Sequence, residues 1–254
     1  MANQYSASAS EITSGAIQDW DRGLIVGRRT FGKGLVQRPF PFPDGSMMRL
    51  TVAHYYTPSG RDIQKPYDKG NQSKYAHDIL DRLSSGELMH QDSIKYVDSL
   101  RVNTLRLKRP IYGGGGISPD VFVPLDTTDY TKYYRDVMAK GDINKYCIRY
   151  VDTHRDRIKK KYPDDTQFIA NFQVTDDMLN ELYAMAEKDG VKPNPKEAEQ
   201  SRKLFTTVLK GLIGRDIYDN PTYFKVYNQY DPIFKEAYRL INSADYDKKL
   251  SAPN

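Results

Sequence analysis

Three serines alternate with alanines at Ser6-Ala7-Ser8-Ala9-Ser10, ahead of Glu11-Ile12, and a lysine flanked by glycines follows at Gly32-Lys33-Gly34. A serine hydroxyl is a weak nucleophile until a base takes its proton, and a neutral lysine amine can be that base, as in Ser-Lys acyl transfer. Held in a glycine-bound turn beside buried strands, Lys33 is expected to lose hydration, which lowers its pKa and favours the neutral amine. A serine at the start of a helix also has backbone N–H groups and the positive dipole end close to a developing oxyanion. On these grounds Ser6, Ser8 and Ser10 are equal.

Other chemistries fit less well. Gly27-Arg-Arg-Thr-Phe-Gly32-Lys33-Gly34 almost spells the phosphate-binding loop G-x-x-x-x-G-K-[ST]. Gly34 replaces the hydroxyl residue that would hold magnesium, and Leu35-Val-Gln-Arg-Pro39 leads into a strand rather than a helix, so the phosphates would lose their cradle. The four histidines, His54, His77, His90 and His154, are scattered and form no ligand pair. A Ser-His-Asp arrangement using His54 stays open from spacing alone. Cys147 is the single cysteine, so neither an internal disulfide nor a cysteine-based metal site can form. No cofactor and no metal are expected.

The elements that must position these residues are readable. Ser8 to Trp20 has helical spacing in Ile12, Ala16 and Ile17, with Ser and Glu at its start as caps. Gly23 to Gly27 reads as a short buried strand. Two strands flank Pro43-Asp44-Gly45-Ser46, a hairpin signal, and the second arm, Met47 to Thr57, alternates as a strand with one covered face. The stretch from Pro58 to Tyr112 is polar and irregular, with a helix expected over Tyr75 to Leu83. Gly113 to Gly116 marks a backbone squeeze before Ile117-Ser-Pro-Asp120 and the strand Val121 to Pro124. Helices are expected over Tyr130–Met138, Ile143–Tyr162, Asp176–Lys188, Pro195–Arg215 and Pro221–Ile241. The clearest apolar stripe is Leu204, Phe205, Val208, Leu209, Leu212 and Ile213.

The 254 residues carry 39% hydrophobic residues and a net charge of +5, enough apolar matter for a core and too little basic excess to indicate nucleic acid. The dense cluster Arg155 to Lys161 suits the C-terminal turns of a helix. No run approaches the ~20 apolar residues of a membrane-spanning helix.

The ordered set Ser6-Ala-Ser-Ala-Ser-Glu-Ile12, Gly15-Ala16, Gln18-Asp19, Thr30-Phe-Gly-Lys-Gly34 with Val36-Gln37, Asp44-Gly45-Ser46, Tyr56-Thr-Pro-Ser-Gly-Arg61 and Gly116-Ile-Ser-Pro-Asp120 resembles the carboxyl-terminal processing (tail-specific) proteases. The resemblance runs from about Asn3 to Asp126. It implies an α/β fold, part of a crotonase-like protease core, over residues 1–126, with an insertion at about 68–112. A mainly α-helical C-terminal domain over 127–254 matches no family motif. Carried over residue by residue, the resemblance makes Ser8 the nucleophile and Lys33 its general base. Gln37 orients Lys33, and the N–H of Ala9 is an oxyanion donor.

The implied function is a serine endopeptidase cutting proteins near their C-termini. The family's PDZ domain, upstream core strands and second oxyanion donor find no counterpart here, so the chain is expected to be a fragment with little activity alone. Its expected partner is a protein or peptide substrate and not nucleic acid. Homodimerisation, membrane proximity through an upstream segment and a periplasmic or cell-envelope location are further expectations. The rival is a non-catalytic peptide-binding or scaffold module.

Overall fold

The computed structural model describes residues 1–67 and 72–251. The expected start of the insertion, at 68, and the last three residues of the helical domain lie outside the described residues. The chain divides into two compact units, Met1–Leu125 with Glu236–Asn254, and Asp126–Lys235.

The first unit opens with α1 (Ala9–Asp19), followed by β1 (Val26–Gly27), β2 (Leu35–Pro41), β3 (Met47–His54), α2 (Gln72–Ser84), β4 (Arg101–Asn103), β5 (Pro110–Tyr112) and β6 (Val121–Phe122). These strands make three two-stranded sheets: β1 with β6 in parallel, and β2 with β3 and β4 with β5 antiparallel. Ala2, Ile25, Ile63 and Ile117 form a small buried apolar cluster. Much of the remaining interior is polar. The buried face of α1 is Glu11, Gly15, Gln18 and Asp19. Asp19 accepts from Arg61 Nη2 at 2.7 Å, and Arg109 bridges Asp21 and Asp120 at 2.8 and 2.6 Å, every one of these side chains being essentially inaccessible. Buried charges persist only when paired and hydrogen-bonded, so these residues specify one arrangement of the loops around α1.

The hairpin differs from expectation. Its Asp44-Gly45 turn forms as read, with Asp44 Oδ1 accepting from Ser46 N and Oγ. Every residue of β3 is exposed, however, so the predicted covered face is not covered by any described residue. The ladder slips between Val36 and Gln37, a bulge that re-aims the side chains there.

The second unit contains α3 (Lys132–Ala139), α4 (Asp142–Lys161), α5 (Asp165–Asn171), α6 (Asp176–Lys188), α7 (Pro195–Gln200), α8 (Arg202–Ile217) and α9 (Asn220–Tyr227). Two later helices follow, α10 (Pro232–Ile241) and α11 (Asp245–Ser251). Thr131, Asp164, Thr175, Asn194 and Asp219 each cap a helix by accepting from a first-turn N–H. All six residues of the predicted stripe are buried. Gly214 of the same helix permits a close approach, since a Cβ there would lie 2.8 Å from Thr222 Cγ2 and 2.9 Å from Phe168 Cε1. The helix expected over Pro195–Arg215 is broken at Ser201. Its buried hydroxyl donates to the Asp129 carbonyl and pairs with Thr131 Oγ1, both distant in sequence. No helix among the described residues is long and apolar enough to cross a membrane.

Candidate active site

The three serines, equal in sequence, differ in structure. Ser6 Oγ accepts from the Asn3 N–H at 3.0 Å, closing a local turn. Ser10 lies exposed within the first turn of α1. Ser8 occupies the N-cap with φ 55° and ψ −118°, a backbone state that L-residues rarely adopt and that costs on the order of 1–3 kcal/mol. Strain of this kind turns a chain sharply into a helix and presents the hydroxyl at the corner, as in serine nucleophile elbows. Ala9 opens α1, where first-turn N–H groups have no intrahelical partner and point outward beyond the helix end.

Glu11 holds this corner. Its carboxylate is fully buried and accepts four hydrogen bonds. Oε2 takes the Ser8 N–H at 3.0 Å and the Lys33 N–H at 2.8 Å; Oε1 takes the Gly32 N–H at 2.6 Å and the Thr30 hydroxyl at 2.5 Å. Because one oxygen accepts from both, the main-chain nitrogens of Ser8 and Lys33 are at most 5.8 Å apart. A second tether runs from the Phe31 N–H to the Ser6 carbonyl at 2.9 Å. The Thr30 hydroxyl, which donates to Glu11, also accepts from the Ile117 N–H at 2.7 Å. Gly116 has φ 87°, and a Cβ on it would lie 2.7 Å from Thr30 Oγ1, so the Gly-rich squeeze is what lets Ile117 reach this loop.

The main chains of Ser8 and Lys33 are therefore gathered, while no hydrogen bond among the described residues joins the side chains of the predicted residues. Lys33 is exposed, so the desolvation expected of it is not supplied by the described residues. Gln37 is exposed in β2, opposite Thr51 and beside the bulge. Among the described residues no hydrogen bond joins Gln37 to Lys33, or the Ser8 hydroxyl to the Lys33 amine. His54 pairs with Asp62 at 2.6 Å, both at least partly exposed, and makes no hydrogen bond to Ser8. No cluster of three or more His, Cys, Asp or Glu among the described residues is placed to hold a metal ion. A cavity of about 250 Å³ opens beside Gln18, Arg61, Tyr96, Tyr112 and Asp120, at the opposite end of α1 from Ser8.

Residues 1–70 match peptidase family S41. Over 65 residues the chain is 55% identical to a carboxyl-terminal-processing protease of Picosynechococcus, covering 26% of this chain and 16% of that protein. It is 54% identical over 65 residues to the chloroplastic C-terminal processing peptidase of Tetradesmus obliquus, covering 26% and 14%. A longer match, 33% identical over 116 residues, joins it to a probable CtpA-like serine protease of Staphylococcus epidermidis, covering 44% and 23%. The amino-terminal stretch is thus similar to peptidase family S41 and to carboxyl-terminal-processing proteases. The chain spans less than a quarter of the length of these relatives. Residues 133–219 match a family of unknown function, and no solved structure matches the chain.

Sequence reasoning missed Glu11 and Thr30 as organisers of this corner. From the sequence, Glu11 reads only as a helix-start residue. Glu three positions after an N-cap serine is a capping signal, and Glu11 does cap Ser8, but the same carboxylate also reaches the lysine loop 22 residues away.

Proposed function

We propose that the protein carrying this segment is a serine endopeptidase that processes proteins near their C-termini. In this reading Ser8 Oγ attacks the scissile carbonyl and its proton passes to Lys33 Nζ. The oxyanion forms at the Ala9 N–H, at the positive end of α1. Collapse of the tetrahedral intermediate breaks the C–N bond; the leaving amine takes the proton from Lys33, and an acyl-enzyme remains on Ser8. Water, deprotonated by Lys33, then attacks the ester and regenerates the serine. Gln37 orients the lysine amine.

The observation that supports this best is the shared Glu11 oxygen, which holds the strained Ser8 corner and the Lys33 loop together at main-chain level. Exposure of Lys33 and Gln37 accompanies a match to less than a quarter of the relatives. We therefore take the complete centre, on a crotonase-like core, to need residues outside this segment. The 254 residues alone are then weakly active or inactive, with the exposed hairpin pairing a further strand or a second copy. A cell-envelope location, near a membrane, belongs to the same proposal. The same exposure favours the rival, a non-catalytic peptide-binding module, if the dyad never assembles. Peptide hydrolysis by the complete protein decides between them. Ser8→Ala and Lys33→Ala should each abolish cleavage with folding retained; full activity in either variant removes the dyad.

A further inference from the structure

The lysine loop is gripped by a carboxylate and by a guanidinium, and the guanidinium comes from outside the stretch matched to the peptidase family. Glu11, on α1, takes the N–H groups of Gly32 and Lys33. The guanidinium is that of Arg82, in the last turn of α2 and outside residues 1–70. Its guanidinium donates to two successive carbonyls of the same loop, from Nη2 to Arg29 at 2.7 Å and from Nη1 to Thr30 at 3.0 Å. Arg82 is only 4% exposed.

The guanidinium is itself aimed by a carboxylate. Arg82 Nε donates to Glu87 Oε1 at 2.8 Å, and Arg29 closes on both oxygens of Glu87 at 2.8 and 2.6 Å. A planar fork locked at Nε has its two Nη groups fixed in direction, which suits a pair of adjacent carbonyls in a way no ammonium can reproduce. α2 is docked over the loop by aromatic contacts as well. Lys65 Nζ lies 4.0 Å from the centroid of the Phe31 ring and 4.1 Å from that of Tyr75, while its own N–H donates to the Gly32 carbonyl at 3.0 Å. Between Arg29 and Gly34, the carbonyls of Arg29, Thr30 and Gly32 and the N–H groups of Thr30 through Gly34 all have named partners.

We propose that Arg82 is a positioning residue for Lys33, fixing the two peptide planes that enter Phe31-Gly32-Lys33 while Glu11 fixes the two that carry Gly32 and Lys33. Its catalytic meaning rests on the protease reading above; its placement of the loop does not. Small displacements of a catalytic group are costly, on the order of 10²-fold per ångström, so a loop released at Arg29 and Thr30 lowers turnover without touching substrate binding.

The test uses Arg82→Ala and Arg82→Lys in the 254-residue chain, with amide hydrogen exchange read residue by residue. In Arg82→Ala the Gly32 and Lys33 amides should exchange about tenfold faster or more, while the interior of α1 and the helices of the second unit keep their protection. Guanidinium at a millimolar, non-denaturing concentration should restore protection by filling the vacated space between Glu87 and the carbonyls; ammonium should not. Arg82→Lys keeps a charge on Glu87 and guards against a failure to fold, and it should recover only part of the protection. Unchanged exchange at Gly32 and Lys33 overturns the proposal. So does loss of protection throughout the first unit in both variants without guanidinium rescue, which would make Arg82 a packing residue only. In the complete protein, Arg82→Ala should lower kcat about tenfold or more with KM unchanged, again rescued by guanidinium; a change confined to KM overturns the positioning role. If Ser8→Ala in the complete protein retains hydrolysis, the protease reading fails, while the exchange data still decide whether Arg82 places the loop.

Discussion

Replacing Glu11 by glutamine removes one acceptor oxygen from a site with four donors. If the new amide nitrogen takes the place of Oε2, it faces the N–H groups of Ser8 and Lys33, main-chain donors that cannot turn away. If it takes the place of Oε1, it faces the Gly32 N–H and a Thr30 hydroxyl whose oxygen is already engaged by Ile117. Either orientation forfeits two hydrogen bonds to a charged acceptor, at about 1.5–3 kcal/mol each. The expected loss is about 3–6 kcal/mol, a large share of the ~5–15 kcal/mol that holds an ordinary domain together. Trp20, the single tryptophan, immediately follows α1 in the first unit and reports its unfolding by fluorescence. With a urea slope of about 2 kcal/mol per molar, the midpoint should fall by about 1.5–3 M. A midpoint within about 0.5 M of the parent chain would falsify the clamp, because it would mean that the four bonds contribute no more than a surface contact.

Four further outcomes follow from the same geometry. Thr30→Val removes the donor to Glu11 and the acceptor for Ile117, and should cost about 1–3 kcal/mol by the same fluorescence assay; an unchanged midpoint contradicts the Thr30 relay. Ser8→Gly should stabilise the first unit by about 1 kcal/mol net, since glycine accepts φ 55° freely; destabilisation would show that the corner is unstrained. The Glu87 carboxyl is pushed up by burial, but the Arg29 hydrogen bond and the Arg29 and Arg82 charges outweigh this and hold it below its ordinary 4.5. A depressed folded-state pKa contributes stability that is complete above the unfolded value and lost as pH falls through the lower, folded one. First-unit stability should therefore decline below about pH 4.5, and Glu87→Gln should flatten that slope in urea titrations taken at each pH. The Cys147 thiol is buried and pushed up to about 12, mainly by desolvation. A thiol reagent at pH 8 should leave it unmodified until the second unit unfolds, and rapid stoichiometric reaction of the native chain would contradict that burial.

What could be read from the sequence was local. The apolar stripe of α8, the Asp44-Gly45 turn and the serine-rich start of α1 each follow from a period or from a turn residue acting within a few positions. The break at Ser201, between α7 and α8, could not be read; the buried hydroxyl there is bonded to the Asp129 carbonyl, 72 residues away. The same holds at the candidate site. Spacing put serines at a helix start and a lysine in a glycine turn, and the family resemblance named Ser8 among the serines; the strain at Ser8 is a property of the folded backbone that spacing does not show. Glu11 was visible as a cap and invisible as a clamp. Arg82 is 52 residues from Thr30 and carries no motif, so only the folded loop reveals what it holds. The covered face expected for β3 failed for the converse reason, since alternation shows which residues could share a face but not whether anything lies against it.

The dyad is tested most directly by mass spectrometry of the complete protein after treatment with a fluorophosphonate, which traps an activated serine. One adduct is expected, on the peptide containing Ser8, and it should disappear in Lys33→Met and in Ser8→Ala. An adduct on Ser6 or Ser10, or one on Ser8 that forms equally fast in Lys33→Met, would contradict the dyad.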